Sequence, residues 1–220
     1  MPVAMNFTSL QNDIRRTIER GGSTDDPSTA TQLPFIINTV ERRMARELKI
    51  QGFQAYYVSA FTQAVNSYQK PDRWRETISL TVSTQVSSAT TYTKTVVLVP
   101  MAFEALVAYW PTATSQATPR FYADFGYSNF AVAPTPTGAN PYMLAYWELP
   151  ALLDAVNTTN WTTTYAPNAL YHGCMAETYR FLGNPAKAAE WDAQYDRDMS
   201  GLSGEDIQKI LDRSEQRTTS

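Results

Sequence analysis

Arg120-Phe121-Tyr122-Ala123-Asp124-Phe125-Gly126-Tyr127 is the stretch from which the fold of this chain is best read. Aromatic residues crowd it and Gly126 supplies a tight turn, which predicts a hairpin of strands at 120–125 and 128–133. The Pro-spaced segment Ala133-Pro134-Thr135-Pro136-Thr137 follows, then an apolar strand over 142–148 containing Tyr142-Met143-Leu144-Ala145-Tyr146-Trp147. Past Trp161 an Ala- and Tyr-rich pattern predicts a helix over 165–182. Leu182-Gly183-Asn184-Pro185 breaks it, and a further helix with Trp191 and Tyr195 is expected over 185–200. Pro185 stands at the start of that helix, where its missing N–H costs nothing.

Working back toward the N-terminus, Phe7, Leu10, Ile14 and Ile18 form one apolar stripe and predict a helix over 7–20. Gly21-Gly22 ends it, and Ser23 to Thr31 reads as a polar loop. Leu33, Ile36, Ile37, Val40, Met44 and Leu48 predict a second helix over 33–50, with Glu41, Arg42, Arg43, Arg46 and Lys49 on the opposite, polar face. From Phe53 the period changes to two, giving strands at 55–61, 74–82 and 92–99, with a mobile Ser/Thr-rich tip at 83–91. Pro100 opens a short helix at 101–110 whose Phe103, Leu106, Val107 and Trp110 suit a core. Residues 150–160 read as a loop or short helix carrying Leu152, Leu153 and Val156.

The layout is therefore α+β. About four long helices are expected to bundle from residues 1–52 and 150–200. An antiparallel β block is inserted at 53–149, and residues 201–220 form a flexible C-terminal tail that is disordered from Arg217.

Composition narrows the function. With 220 residues, 43% of them apolar, the chain can bury a core. Only 18% are charged, while 13 Tyr and 5 Trp are present, a balance that suits protein–protein contact. A net charge of −3 excludes a basic footprint for wrapping nucleic acid. The first 110 residues carry 11 basic and 9 acidic groups and the last 110 carry 7 and 12, which reads as ordinary surface variation. No basic-then-apolar leader opens the sequence and no apolar run is long enough to span a bilayer, so no membrane role is expected.

The reactive residue types are few. His172 is the only histidine and Cys174 the only cysteine. They lie two apart on one helix, about 200° around its axis, so they diverge rather than form a nucleophile–base pair. No second histidine completes a metal site. Asp192, Asp196 and Asp198, interleaved with Arg197, read as a solvated face, and no phosphate or dinucleotide loop is present. No catalytic, cofactor-binding or metal-binding residue is assigned, and the chain is not read as an enzyme.

Four stretches in this order and spacing resemble the head-to-tail adaptor (connector) proteins of tailed bacteriophages. The first is the early helix pair with Ile36, Ile37 and the Arg42/Arg43/Arg46 face. The second is Gln69-Lys70-Pro71-Asp72-Arg73-Trp74 leading into a strand. The third joins Pro119-Arg120-Phe121-Tyr122 and Ala133-Pro134-Thr135-Pro136 to Leu144-Ala145-Tyr146-Trp147. The last runs from Trp161 and Tyr165-Ala166-Pro167 through Gly183-Asn184-Pro185 to the Trp191–Tyr195 helix. The likeness spans most of residues 30–200.

It implies a structural role in the virion at the head–tail interface, after synthesis in the host cytoplasm. The implied partners are a portal protein, tail or nozzle proteins, other copies in a ring commonly of twelve, and double-stranded DNA sliding through without sequence-specific binding. No cofactor is implied. Ile207, Ile210 and Leu211, one amphipathic turn in the tail, are the expected portal anchors. The alternative readings are a carbohydrate- or ligand-binding β module, which would need exposed aromatic rings, and another virion tail component.

Overall fold

The computed structural model describes residues 5–18, 27–49, 51–85, 92–112 and 114–218. The chain forms α1 (Phe7–Thr17), α2 (Pro27–Glu47), a 3-10 turn (Gln51–Phe53), β1 (Gln54–Ala60), β2 (Ser67–Gln69), β3 (Trp74–Gln85), β4 (Tyr92–Val97) and β5 (Val99–Pro100). After α3 (Phe103–Tyr109) come β6 (Phe121–Phe125), β7 (Asn129–Ala133) and β8 (Pro141–Glu148). The chain ends in α4 (Trp161–Tyr165), α5 (Pro167–Phe181) and α6 (Pro185–Thr218). These elements belong to two compact units, residues 54–148 and residues 1–53 with 149–220.

In the 54–148 unit, one sheet has the order β1-β8-β3-β4 and is antiparallel throughout. The other has the order β2-β7-β6-β5, and its β5–β6 pair is parallel. Strand alternation sends Leu80, Val82, Tyr142, Leu144 and Tyr146 from the first sheet into a core shared with Tyr122, Phe130 and Val132 of the second. The opposite face of the second sheet carries Ala123, Ala131 and Ala133, small enough for α3 to lie close and cover them with Leu106, Phe103 and Trp110. The turn between β6 and β7 places Gly126 at φ +60°, a left-handed conformation that glycine adopts at little cost.

In the other unit α5 is central, packing against α1, α2, α4 and α6. Its buried residues, among them Ala169, Leu170, Gly173, Cys174, Met175, Ala176 and Tyr179, lie around much of its circumference, as a helix surrounded by others requires. Several are small, and that lets neighbours approach. A Cβ on Gly173 would stand 2.6 Å from Val40 Cγ1 and 3.0 Å from Tyr195 Cδ2. The apolar stripes of α1 (Phe7, Leu10, Ile14) and α2 (Leu33, Ile36, Ile37, Val40, Met44, Leu48) are buried.

Glu41 shares that buried side of α2 instead of the polar face expected for it, because it lies four residues after Ile37 and three before Met44. Its carboxylate accepts the Leu153 N–H (2.9 Å), the Asn160 side-chain amide (2.5 Å) and the Thr162 hydroxyl (3.4 Å). Burial pushes its pKa up, and the hydrogen bonds from Leu153, Asn160 and Thr162 oppose the rise.

The expected bundle of four long helices with an antiparallel insert and a flexible tail is corrected on three counts. Among the described residues there are six helices of unequal length, from 5 residues in α4 to 34 in α6; α1, α2, α4 and α6 gather about α5 rather than aligning as four equals, and α3 belongs to the β unit. The β part is two four-stranded sheets, one with a parallel pair, and it includes the unexpected three-residue β2. Finally, α6 continues to Thr218 where a tail was expected from residue 201. Gly201 and Gly204 each cost a helix about 1 kcal/mol, which the strong helix formers that follow them offset.

Likewise α2 starts at Pro27, and Pro34 inside it removes one backbone hydrogen bond without ending the helix. Residues 86–91 of the expected hairpin tip, residues 19–26 including Gly21-Gly22, and residues 219–220 lie outside the described residues.

Tyr195 is fully buried whereas Trp191 is only half-buried, edge-on to Tyr171 with ring centroids 5.8 Å apart. Tyr195→Ala is therefore expected to cost about 3–5 kcal/mol in chemical denaturation, and Trp191→Ala less than about 2 kcal/mol; equal losses would reverse this ranking. Gly173→Ala is expected to cost about 1–3 kcal/mol by overpacking, and a neutral result would show that Val40 and Tyr195 yield freely. Because the Glu41 pKa is raised in the folded chain, its contribution is fully present below the ordinary carboxyl range of about pH 4 and is lost as pH rises through the raised value. Urea midpoints should thus show the native chain losing stability relative to Glu41→Gln as pH rises, and parallel pH profiles would contradict the shift.

Candidate functional site

The residue types with reactive potential are engaged in holding helices together. His172 Nδ1 lies 2.8 Å from Asp198 Oδ2, and its ring packs 5.4 Å from that of Trp191. Cys174, on another side of α5, is fully buried. Burial, and then the charges of Glu41 and Glu177, push its thiol well above the ordinary range, so it is no nucleophile at neutral pH. Among the described residues no group of three His, Cys, Asp or Glu could hold a metal ion.

The acidic face of α6 is not the solvated surface expected from its sequence. Asp192 bonds to Arg43 (3.3 Å) and to Arg180, and Asp198 to His172; only Asp196, 3.8 Å from Arg43, is largely exposed. Arg43 also bonds Glu47 (2.9 Å) and lies 4.3 Å over the Tyr195 ring, whose hydroxyl donates to Glu47 (2.7 Å). Burial opposes the Arg43 charge, but Glu47, Tyr195 and Asp192 outweigh it and raise its pKa. Burial and the Glu47 carboxylate together raise that of the Tyr195 hydroxyl. The network clamps α6 to α2.

A second polar cluster centres on Lys70, in the Gln69-to-Trp74 stretch. Its side chain is 1% exposed. The backbone turns through Arg73 at φ +61°, which brings the Trp74 ring under the ammonium at 3.4 Å. Asp124 Oδ1 is 3.1 Å from Nζ, and the Gly126 carbonyl is 3.4 Å away. Trp74 Nε1 donates to the Thr77 hydroxyl (3.2 Å), which donates to Asp124 (3.1 Å). A buried ammonium is tolerated only when paired, and here a carboxylate, a carbonyl and a π face all serve it. The cluster joins β3 to the β6–β7 turn. Lys70's burial was not foreseen; a lysine four residues before a tryptophan, in a unit rich in aromatics, was the only signal.

The surface left over is short of charge. The 54–148 unit has five basic residues (Lys70, Arg73, Arg75, Lys94, Arg120) and five acidic ones (Asp72, Glu76, Glu104, Asp124, Glu148). The Lys70–Asp124 and Arg73–Glu148 pairs absorb four of them. Across the β1-β8-β3-β4 sheet, Val58 stands opposite Met143, Met143 opposite Thr81, and Thr81 opposite Val97. This uncharged row faces solvent, with Val58 66%, Val97 62% and nearby Tyr56 60% exposed. Contiguous apolar surface of this kind marks contact with another macromolecule. Beside β4 a groove of about 490 Å³ is lined by Val96, Val97, Val99, Thr118, Pro119, Arg120 and Phe121.

In the helical unit, Ile207, Ile210 and Leu211 fall in the C-terminal half of α6, and their side chains lie outside the described residues. Just before them, Gly201, Leu202 and Glu205 border a hollow of about 290 Å³ against Tyr165 to Ala169 at the start of α5.

Two buried polar clusters that brace the fold, together with an uncharged exposed sheet face, are features of a contact scaffold. No curated protein matches the sequence. Residues 5–219, nearly the whole chain and both compact units, match the SU10 adaptor protein family, a phage adaptor-type family to which this chain belongs.

Proposed function

We propose that this chain is a structural head-to-tail adaptor of a tailed phage. Copies of it, expected to number twelve, form a ring beneath the portal. They extend the channel through which DNA passes and offer a platform on which tail or nozzle proteins dock. The observation that carries this reading is the family match from residue 5 to residue 219, which covers both units rather than one borrowed module. The particle is the virion, and the work is done by shape and contact.

Charge supports the reading. In the helical unit, residues 1–53 hold 7 basic and 6 acidic groups and residues 149–220 hold 6 and 10, a balance of −3, while the β unit is neutral. A channel wall built from such surfaces offers sliding DNA few phosphate contacts to break. Among the described residues no helix is long and apolar enough to cross a membrane.

Portal attachment is assigned to the far part of α6. At 34 residues against 15 for α5, α6 outruns its neighbour, and a helix of that length extends about 51 Å. Ile207, Ile210 and Leu211 recur at a spacing of three and one, which places them on one helical face for an apolar groove on a partner.

Ending the chain at Glu205 is expected to leave the unfolding midpoint unchanged and to abolish co-sedimentation with the portal protein. Ile207→Asp combined with Ile210→Asp should do the same. Full attachment by either variant would remove this segment from the interface. Electron microscopy of the intact chain mixed with portal should show rings seated on portal particles; a persistent monomer that leaves the portal bare would overturn the adaptor reading itself.

A further inference from the structure

The geometry points to how neighbouring copies join: the β1 edge of one chain pairs with the β4 edge of the next, so that the β1-β8-β3-β4 sheets run on from copy to copy. This deepens the adaptor reading and rests on it for placing several copies side by side. Four observations carry it.

The first is an unguarded edge. Natural sheets blunt their edges with short strands, charges, prolines or bulges. The second sheet follows the rule, ending in the three-residue β2 and the two-residue β5. The first sheet follows it only at β4, which carries Lys94 and pairs with β3 through a register shift. Its β1 edge is the seven-residue Gln54–Ala60, with no charge and no proline, and its pairing to β8 has no break in register. Tyr56, Tyr57 and Val58 on it are exposed. A row of unpaired backbone donors and acceptors flanked by apolar side chains is built to take another strand.

The second is that β4 is a fitting partner. It has six residues against seven in β1. The sheet holds four strands that alternate in direction, so its two edge strands run oppositely. When one copy is rotated onto the next about an axis along the strands, β4 of the first meets β1 of the second antiparallel, and the alternation continues unbroken. Such a contact is heterologous, and it closes into a ring when the rotation from copy to copy divides a full turn.

The third is the outward row Val58–Met143–Thr81–Val97, which already crosses every strand of the sheet. Joining the edges sets Val97 of one copy beside the Tyr56–Val58 segment of its neighbour, an apolar cross-strand contact.

The fourth is electrostatic fit at the β4 groove. Its one charged residue, Arg120, has no ion-pair partner among the described residues, and Val97, Val99, Pro119 and Phe121 make its walls apolar. The arriving β1 strand brings no like charge, and its tyrosines offer π faces to the guanidinium. A strand bearing lysine or arginine would be repelled there.

The test uses full-length single variants Val58→Cys and Val97→Cys, with the buried Cys174 inert as background. Each is assembled with portal alone or as an equal mixture, then treated with a short bis-maleimide that tolerates a two-residue difference in register. The expected result is a cross-linked dimer in the mixture and none in either variant alone. The Val58→Cys/Val97→Cys double variant should give a ladder ending at the ring size. Cross-linking of Val58→Cys alone would mean β1 pairs with β1, and overturns the inference. Rings seen by electron microscopy without any cross-link overturn it too, while leaving the adaptor reading standing. Absence of rings in every mixture removes both. As an independent arm, Val58→Lys should leave the thermal midpoint in place and prevent ring formation; rings formed normally by Val58→Lys would count against the shared edge.

Discussion

The chain leaves the helical unit at Phe53 and re-enters it at Leu149. The re-entering segment must be held against α2, from which more than a hundred residues separate it. Glu41 does this. All its hydrogen bonds come from that segment: the backbone of Leu153, the amide of Asn160 and the hydroxyl of Thr162. Residues 149–160 have no regular structure, so their backbone groups need side-chain partners. Asn157 Nδ2 donates to the carbonyls of Ala151 and Leu152, Asp154 accepts the N–H groups of Val156 and Asn157, and Asn160 caps α4 while donating to Ala151. With the segment fixed, α4 starts where Trp161 can cover Gly52 and α5 enters the centre of the unit. Only a glycine serves there, since a Cβ on Gly52 would stand 2.2 Å from the indole nitrogen.

The β unit solves a similar problem differently. Its two sheets share an aromatic core in which Phe61 stacks on Tyr142 at 4.6 Å and Tyr68 on Phe130 at 5.7 Å. Rings are large and rigid, so few of them fill the space between sheets. At one end the Lys70 ammonium adds a polar rivet between β3 and the β6–β7 turn. With Lys70, Asp124, Arg73 and Glu148 engaged in internal pairs, the unit presents a sheet face of valine, methionine, tyrosine and threonine. Interior bracing and exterior stickiness are thus two consequences of one composition, poor in charge and rich in aromatics and hydroxyls.

Much of the local structure was legible. The stripes Phe7–Ile14 and Leu33–Leu48, the turn at Gly126 and the break at Gly183–Pro185 each rest on near-neighbour physics: side-chain period, left-handed glycine, proline at a helix start. The order of the degenerate motifs pointed to the adaptor family that the whole-chain match shows. Errors arose where a local signal was outweighed. The second helix was expected from residue 33 and starts at Pro27, with Pro34 inside it. The last was expected to stop at residue 200 and runs on through Gly201 and Gly204, because a glycine's cost of about 1 kcal/mol and even a proline's of about 3 kcal/mol yield to their surroundings.

By itself, then, the sequence determined which segments could be helix or strand and where the chain had to turn. Only the tertiary structure decided that α5 would be the hub, that Glu41 and Lys70 would be buried with their charges served, and that the α6 aspartates would clamp helices instead of facing water. The physical reason is distance along the chain. Period and propensity act over a few residues, whereas a buried charge is stable only through partners such as Asn160 for Glu41 and Asp124 for Lys70, which lie far away in sequence and adjoin it only after folding.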